Sequence, residues 1–505
     1  MLGMIIGWIR RRLERARVRR QLRNIQRQND INKNVIEHRD GPVEAYLNRD
    51  RSESVLVSGN NKQLRDRICC AAAYNAHALG EAVVILHCGN AELENLLAEA
   101  FGDGGGLTLI NREHPLYDPF VDRNNDEIAQ LISKTGPWSQ EAKTNVMDFV
   151  RGLSNYLNAR GRTAGVRSFA NCPYDDLWNR LDRHEREGTI TPEDARIIND
   201  ELTRGQVERG SVEIYFRNLS MQADSILASK SALRDGEAVN VKRTVERSQV
   251  IAFDITPSAA DLLLNVILEE IKLSQNASHS FTLILDSIST TASPALETFL
   301  RNFSNRCKLV FASDDAYAET TTTDRLFDSL LARADSVFVT QHDSAETSEK
   351  FSNYFGRYQK TEVNNTLTVG NAYSAYDQIL PGSNNTQVYS FQRVDRPRVE
   401  ESEITGLAYN TLFIKKQGRS EVIKAHSTAG NARGRYAEPS RRLLSPSATS
   451  GNFRWGVYIL LLVFFTPAAF IYGMVNCRRT GKIINAILFV LMLLLIVFEL
   501  FVLGS

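Results

Sequence analysis

The sequence predicts an α/β fold: a mostly parallel sheet covered on both faces, an all-α insertion, and a transmembrane helical hairpin towards the C-terminus. Three observations predict it. Short, continuous apolar runs such as Ala82-Val-Val-Ile-Leu86 and Phe281-Thr-Leu-Ile-Leu285 alternate with amphipathic stretches, the pattern of strands buried on both faces. Roughly Asp126 to Arg234 is helix-rich and strand-poor. Trp455–Val475 carries no charge, and Ile483–Leu503 carries only Glu499.

The elements follow in order. Residues 1–38 read as a basic amphipathic helix: Leu2, Ile5, Ile6, Ile9 and Leu13 keep helical spacing, and a run of arginines from Arg10 to Arg27 follows. Its apolar part is too short to span a bilayer, so an interfacial helix drawn to anionic lipid is the expectation. A partner-binding helix and a nucleic-acid-binding arm are the alternatives. The sheet domain occupies 39–125 and 235–424, with the insertion at 126–234. Strands are expected at Ser54–Ser58, Ala82–Leu86, Leu107–Ile110, Gln249–Phe253, Phe281–Leu285, Cys307–Phe311 and Ser336–Val339. Residues 425–452, rich in Ser, Ala, Arg and Pro, read as a flexible linker to the anchor at 453–505.

Each apolar run of the anchor is long enough, at about 1.5 Å per residue, to cross a hydrocarbon core of roughly 30 Å. The connection Asn476–Lys482 is a hairpin turn, and Pro467 should kink the first helix. Arg478, Arg479 and Lys482 pull that turn towards the cytoplasm. Arg433, Arg435, Arg441, Arg442 and Arg454 pull the other way and place the large domain there instead.

Composition agrees with a cytoplasmic domain. The six cysteines show neither C-x-x-C nor metal-ligand spacing, which suits a reducing compartment. Eight scattered histidines form no metal motif, and a net charge of +1 argues against bulk polyanion binding. No metal site is expected.

Strand, glycine and helix follow one another at Val55 to Leu79, the layout of a phosphate-binding loop. Such a loop needs G-x-x-x-x-G-K-[ST]: glycines that let backbone N–H groups surround phosphate, a lysine for the outer phosphates, and a hydroxyl for magnesium. Here it reads Gly59-Asn60-Asn61-Lys62-Gln63-Leu64-Arg65-Asp66. Gly59 is in place, but Leu64, Arg65 and Asp66 stand where the second glycine, the lysine and the hydroxyl belong. Asp66 would repel phosphate. Lys62 could serve only a shortened loop. A second strand ends in Asp286, the form of a magnesium-orienting carboxylate, but Ser287 follows where a water-polarising Glu is usual. Gly59, Asn60, Asn61, Lys62 and Arg65 are thus the residues of a degenerate phosphate loop, and hydrolysis is disfavoured.

The ordered set resembles the TraG/TraD-type coupling ATPases of bacterial conjugation and type IV secretion, within the FtsK–HerA group of P-loop motors. The likeness is carried by Trp138–Ala142 with Leu153–Leu157, by Asp286 with Ala295–Phe299 and Asn305–Ser313, and by Arg393–Glu403 ahead of Leu412–Ile414. Ala334 to Gly356, where an aspartate and a glutamate precede a helix closed by glycine, is its most telling piece. The resemblance spans about residues 50 to 416. It implies a P-loop NTPase-like sheet, Asp286 as the degenerate second carboxylate, and Arg306 as an arginine offered to a neighbour's nucleotide, or else a surface arginine. Departures accompany it: Ser313-Asp314-Asp315 replaces the sensor glutamine, and the spanning helices lie at the opposite end of the chain from the family's.

The resemblance leaves three functions. The first is a membrane-anchored pseudo-ATPase that docks or scaffolds a DNA-transfer or secretion system, alongside protein partners or an active paralogue. The second is an active ATP-driven DNA translocase with an unorthodox loop using Lys62 and a carboxylate such as Asp314. The third is a scaffold that binds nucleotide without turnover. No cofactor is read directly, ATP with magnesium staying open under the second and third, and DNA staying open as a partner.

Overall fold

The computed structural model describes residues 2–102, 106–255, 261–274, 280–288, 293–302, 307–320, 324–371 and 383–427. All belong to the first of the chain's two units, Met1–Tyr436. The spans Trp455–Val475 and Ile483–Leu503, Arg306, and most of the linker lie outside the described residues. Among the described residues, no helix is long and apolar enough to cross a membrane.

In chain order the strands are β1 (Val35–Gly41), β2 (Val55–Ser58), β3 (Ala82–His87), β4 (Leu107–Ile110), β5 (Val250–Asp254), β6 (Phe281–Asp286), β7 (Cys307–Ser313), β8 (Ser336–Val339), β9 (Arg357–Asn371), β10 (Ser383–Pro397), β11 (Thr411–Lys416) and β12 (Val422–Ser427). Ten of them form one sheet in the order β1-β12-β11-β8-β2-β7-β6-β3-β5-β4. From β8 to β4 every pairing is parallel; β11 alone runs antiparallel to both its neighbours. This is the mostly parallel α/β sheet the apolar runs predict; each of the seven strands they mark is present, and β11 holds the Leu412–Ile414 stretch that the resemblance made the last strand.

Burial explains the run pattern. Along β3, Val84 and Leu86 enter the core on one face while Val83 and Ile85 enter the core on the other, so neither register position tolerates a polar residue. The insertion packs on the first of these faces. Its helices, among them Asn125–Thr135, Ala142–Ala159, Pro192–Gly205 and Arg209–Gln222, close around Phe120, Phe149, Phe169 and Phe216. Rings of Phe169 and Phe216 stack at 4.5 Å. A buried polar node ties this layer to the helix Asp261–Ser274: Tyr117 Oη donates to Glu270 Oε2 at 2.7 Å, and Arg123 Nη2 to Glu270 Oε1 at 2.9 Å.

Three features depart from the sequence reading. The helix expected over 1–38 spans Leu2–Lys33 and stops at Asn34, whose φ of 50° turns the chain into β1. Strand β1 then pairs parallel with β12, which carries the sheet to Ser427, beyond the expected start of the linker at 425. Finally, β9 and β10 form a long antiparallel hairpin outside the main sheet. Its strands are largely polar and lack the apolar runs that mark the others.

Candidate functional site

Strand order reverses around two neighbouring places. The connection leaving β2 runs towards β3, whereas the one leaving β7 crosses β2 to reach β8; likewise β3 leads outwards to β4 and β6 leads back to β7. Crevices beyond the carboxyl ends of such strands are where open α/β sheets bind ligands. Gly59 to Asp66, Asn90, Asp286 and Ser313 to Asp315 all collect there.

The loop after β2 is short. Ser58 ends the strand and the helix Lys62–Ala78 begins after only Gly59, Asn60 and Asn61, with the Asn61 side chain capping Leu64 N–H at 3.0 Å. Its backbone donors are taken by protein acceptors. Gly59 N–H donates to Ser313 O (3.1 Å), Asn60 N–H to Gln341 O (2.8 Å), Lys62 N–H to Asn60 O (3.0 Å) and Arg65 N–H to Asn61 O (3.2 Å). Asn61 N–H points at Thr340 Oγ1 (3.4 Å), and the Asn60 amide donates to Asp343 (2.7 Å). Residues 340–343 therefore form a strap across the loop. The approach demands glycine at 59, where φ is +128° and a Cβ would lie 2.8 Å from the Gln341 carbonyl oxygen.

Arg65 fills the space a phosphate would need. It is 2 % exposed; its Nη1 donates to Gly59 O at 2.5 Å and pairs with Asp314. The Lys62 side chain is exposed and makes no hydrogen bond or ion pair among the described residues. Asp315, next to Asp314, accepts the Thr347 hydroxyl at 2.9 Å. Glu319, on the short helix that follows, is pushed up to about 7 by burial.

A second knot lies beneath. Asp66 and Asp286 are both buried, and one amide nitrogen joins them: Asn90 Nδ2 donates to Asp66 Oδ1 and to Asp286 Oδ2, each at 2.7 Å. Burial pushes the Asp66 carboxyl up to about 7, against the lowering effect of Asn90. Its Oδ2 has no hydrogen-bond partner among the described residues. Asn90 N–H also donates to His87 Nδ1 (3.3 Å), leaving the ring proton on Nε2, 3.5 Å from Glu94. Burial holds the His87 imidazole below its ordinary value and therefore neutral.

The structure thus brings together Gly59, Asn60, Asn61, Arg65 and, through Asn90, Asp286. Sequence reading missed Asn90, His87 and the 340–343 strap. The only local signal for Asn90 was its place as a helix cap after a strand. As they stand, these groups do not fit a magnesium–triphosphate: the loop donors are occupied, a guanidinium lies across the loop, and an amide stands between the two carboxylates. Cys69, Cys70, Cys88, Cys172 and Cys307 are free thiols, and among the described residues no His, Cys, Asp or Glu cluster is set for a metal.

The class these features define is an open, mostly parallel α/β sheet with a short glycine-led loop between β2 and the helix Lys62–Ala78. No family model matches the chain, and no curated protein does. Among solved structures, the chain is similar to the bacterial conjugative coupling protein TrwBΔN70 in its unbound monoclinic form, with 14 % identity, a TM-score of 0.46, and coverage of 77 % of this chain and 92 % of that one. It is similar to TrwB in complex with ADP and Mg2+ at 13 % identity and a TM-score of 0.43, covering 75 % and 86 %. It is also similar to VirB4 of Thermoanaerobacter pseudethanolicus at 12 % identity and a TM-score of 0.40, covering 78 % and 93 %. These values describe a distant likeness of fold, and no activity transfers on them.

Proposed function

We propose that this protein is a membrane-held pseudo-ATPase, a motor-like sheet kept as a docking or scaffold component of a DNA-transfer or secretion system. One observation carries the loss of chemistry: the strap 340–343 and Arg65 occupy the donors and space of the phosphate loop. Nucleotide binding through such a loop depends on free backbone N–H groups converging on the anion. Electrostatics support the same reading, because Asp66 stands where a magnesium-binding hydroxyl is needed and Asn90 already bridges it to Asp286. Membrane attachment is supported by Trp455–Val475 and Ile483–Leu503, and the arginines ahead of them favour a cytoplasmic large domain. The order of the elements from β2 to β11 supports kinship with conjugative coupling proteins.

Two measurements test this. A fluorescent ATP analogue with magnesium should not bind the full chain at micromolar concentrations, and phosphate release should stay at background with and without DNA. Turnover abolished by Lys62→Ala would establish the translocase reading instead, and binding without turnover would establish a nucleotide-holding scaffold. Flotation of the full chain with vesicles, lost on truncation after Gly451, tests the anchor.

A further inference from the structure

A large cleft lies between the insertion and the segments that flank it in sequence, away from the loop after β2. Its volume is about 530 Å3, within the range of small-molecule sites. Three segments enclose it: Phe120–Asn125, Asn158–Ala164 and Gly236–Arg247. Phe120, Ile128, Ala164 and Leu233 give it an apolar floor.

Its rim is cationic. Arg243 is fixed in place, with Nη1 donating to Gly236 O (3.0 Å) and Ala238 O (2.7 Å) and Nε 3.7 Å from Asp122. That leaves Nη2 without a partner among the described residues. Arg162 and Arg247 are exposed and form no ion pair among the described residues. Arg123 also lines the cleft, but its charge is committed to Glu270. Two exposed guanidiniums, Arg162 and Arg247, and one free edge of the anchored Arg243 thus line the cleft, in which Asp122 is the one acid. Asp122 itself holds φ at +53°, a conformation costly for a non-glycine residue and concentrated at ligand sites. Acceptors are present too, since Asn158 spends its Nδ2 on Asn125 (3.0 Å) and keeps its carbonyl oxygen.

We propose that this cleft binds a phosphate monoester, with Arg162, Arg243 and Arg247 on the phosphate and the organic part on the Phe120–Leu233 floor. Arginine suits the role because its planar fork pairs bidentately with phosphate oxygens. One clamped guanidinium provides position, and two mobile ones close over the anion. The inference is independent of whether the loop after β2 binds nucleotide.

Pyrophosphate, ribose 5-phosphate and a short 5′-phosphorylated oligonucleotide, each titrated calorimetrically into the full chain, provide the test. Saturable binding is expected, weakened at least tenfold in Arg162→Ala/Arg247→Ala and unchanged in Arg196→Ala, an exposed arginine elsewhere on the insertion. Both mutated side chains are solvent-exposed, so folding should survive, and an unchanged thermal midpoint checks it. Tightest binding of ribose 5-phosphate supports a small phosphorylated ligand; tightest binding of the oligonucleotide, lost without its 5′-phosphate, supports the same site holding a nucleic-acid end. Absence of saturable binding at millimolar ligand overturns the proposal, as does equal binding by the double variant.

Discussion

Asn90 donates a 2.7 Å hydrogen bond to Asp66 from a position 24 residues further along the chain, and so holds in place the acid that stands where a phosphate loop has its magnesium-binding hydroxyl. The same nitrogen reaches Asp286. A metal bridging two carboxylates would need both ionised; an amide bridging them tolerates a proton on one. With Asp66 pushed up to about 7, the knot carries that proton below neutrality and gives it up as pH rises through that value.

This gives a pH dependence of defined sign. Asp66 titrates near its ordinary value of 3.8 when unfolded and at about 7 when folded. Between those values the native state binds more protons, so stability falls as pH rises from about 4 to 7 and then levels. The full shift corresponds to at most about 4 kcal/mol. Asp118 and Glu319 titrate in the same window, so Asp66→Asn should remove one proton's share of the slope. Urea midpoints at pH 5 and pH 8 should lie closer together in the variant, with its gain confined to pH 8. An equal gain at both pH values would show that the Asp66 proton is not the cause.

Restoring residue types should not restore the site. Arg65→Lys with Asp66→Thr returns the loop's lysine and hydroxyl, yet the helix would still begin at Lys62 and the N–H groups of Gly59 and Asn60 would still face Ser313 and Gln341. The expected outcome is no measurable binding of a fluorescent ATP analogue with magnesium. Micromolar binding would mean that residue identity, and not the strap, closes the loop.

The strap itself is tested at Gly59. Gly59 and Gly80 both hold positive φ, at +128° and +82°, but only Gly59 has a neighbour where a Cβ would sit. Gly80→Ala should cost about 1 kcal/mol for backbone strain alone. Gly59→Ala should cost at least about 2 kcal/mol more, because Thr340 and Gln341 must move. Denaturant midpoints decide; equal losses would mean that the strap yields freely.

How much was legible follows from what imprints a sequence. Strands β2 to β8 and β11 lie where a core faces them, and runs such as Val83-Val84-Ile85 record it. Strand β1 is an edge carrying Glu37, exposed to solvent, and β9 and β10 have no sheet to cover them, so neither shows an apolar run. The departure of Gly59 to Asp66 from a phosphate-loop pattern was readable because a motif fixes residue types at fixed offsets. Asn90 was not: its partners lie 24 and 196 residues away, and only the strand order brings them together.

The Tyr117–Glu270–Arg123 node should set how firmly the insertion is held. Glu270 is fully buried and its two oxygens are each satisfied by a donor from the start of the insertion. Glu270→Ala leaves the Arg123 guanidinium buried without its acid, a loss of about 3–5 kcal/mol. Glu270→Leu with Arg123→Met removes both charges and should recover more than half of it. A double variant as unstable as the single one would show that packing, and not the stranded charge, causes the loss.

The N-terminal helix offers a last, local test. Asn29 and Thr361 of β9 exchange a reciprocal pair of bonds, Asn29 Nδ2 to Thr361 O at 2.9 Å and Thr361 N–H to Asn29 Oδ1 at 2.8 Å, so the side chain behaves as one more rung of the hairpin ladder. The neighbouring Asn32 amide donates to Gln359 O at 3.2 Å, and Lys33 pairs with Glu403 at 2.8 Å. Asn29→Ala removes both bonds at the Thr361 rung without touching the core. The global unfolding midpoint should hardly move, since half-exposed hydrogen bonds contribute only about 1 kcal/mol each. Amide exchange should nonetheless accelerate at Thr361 and around Gln359, because local opening costs less than global unfolding. Unchanged exchange there would mean that the Asn29 rung adds nothing to the hold that Asn32–Gln359 and Lys33–Glu403 already provide.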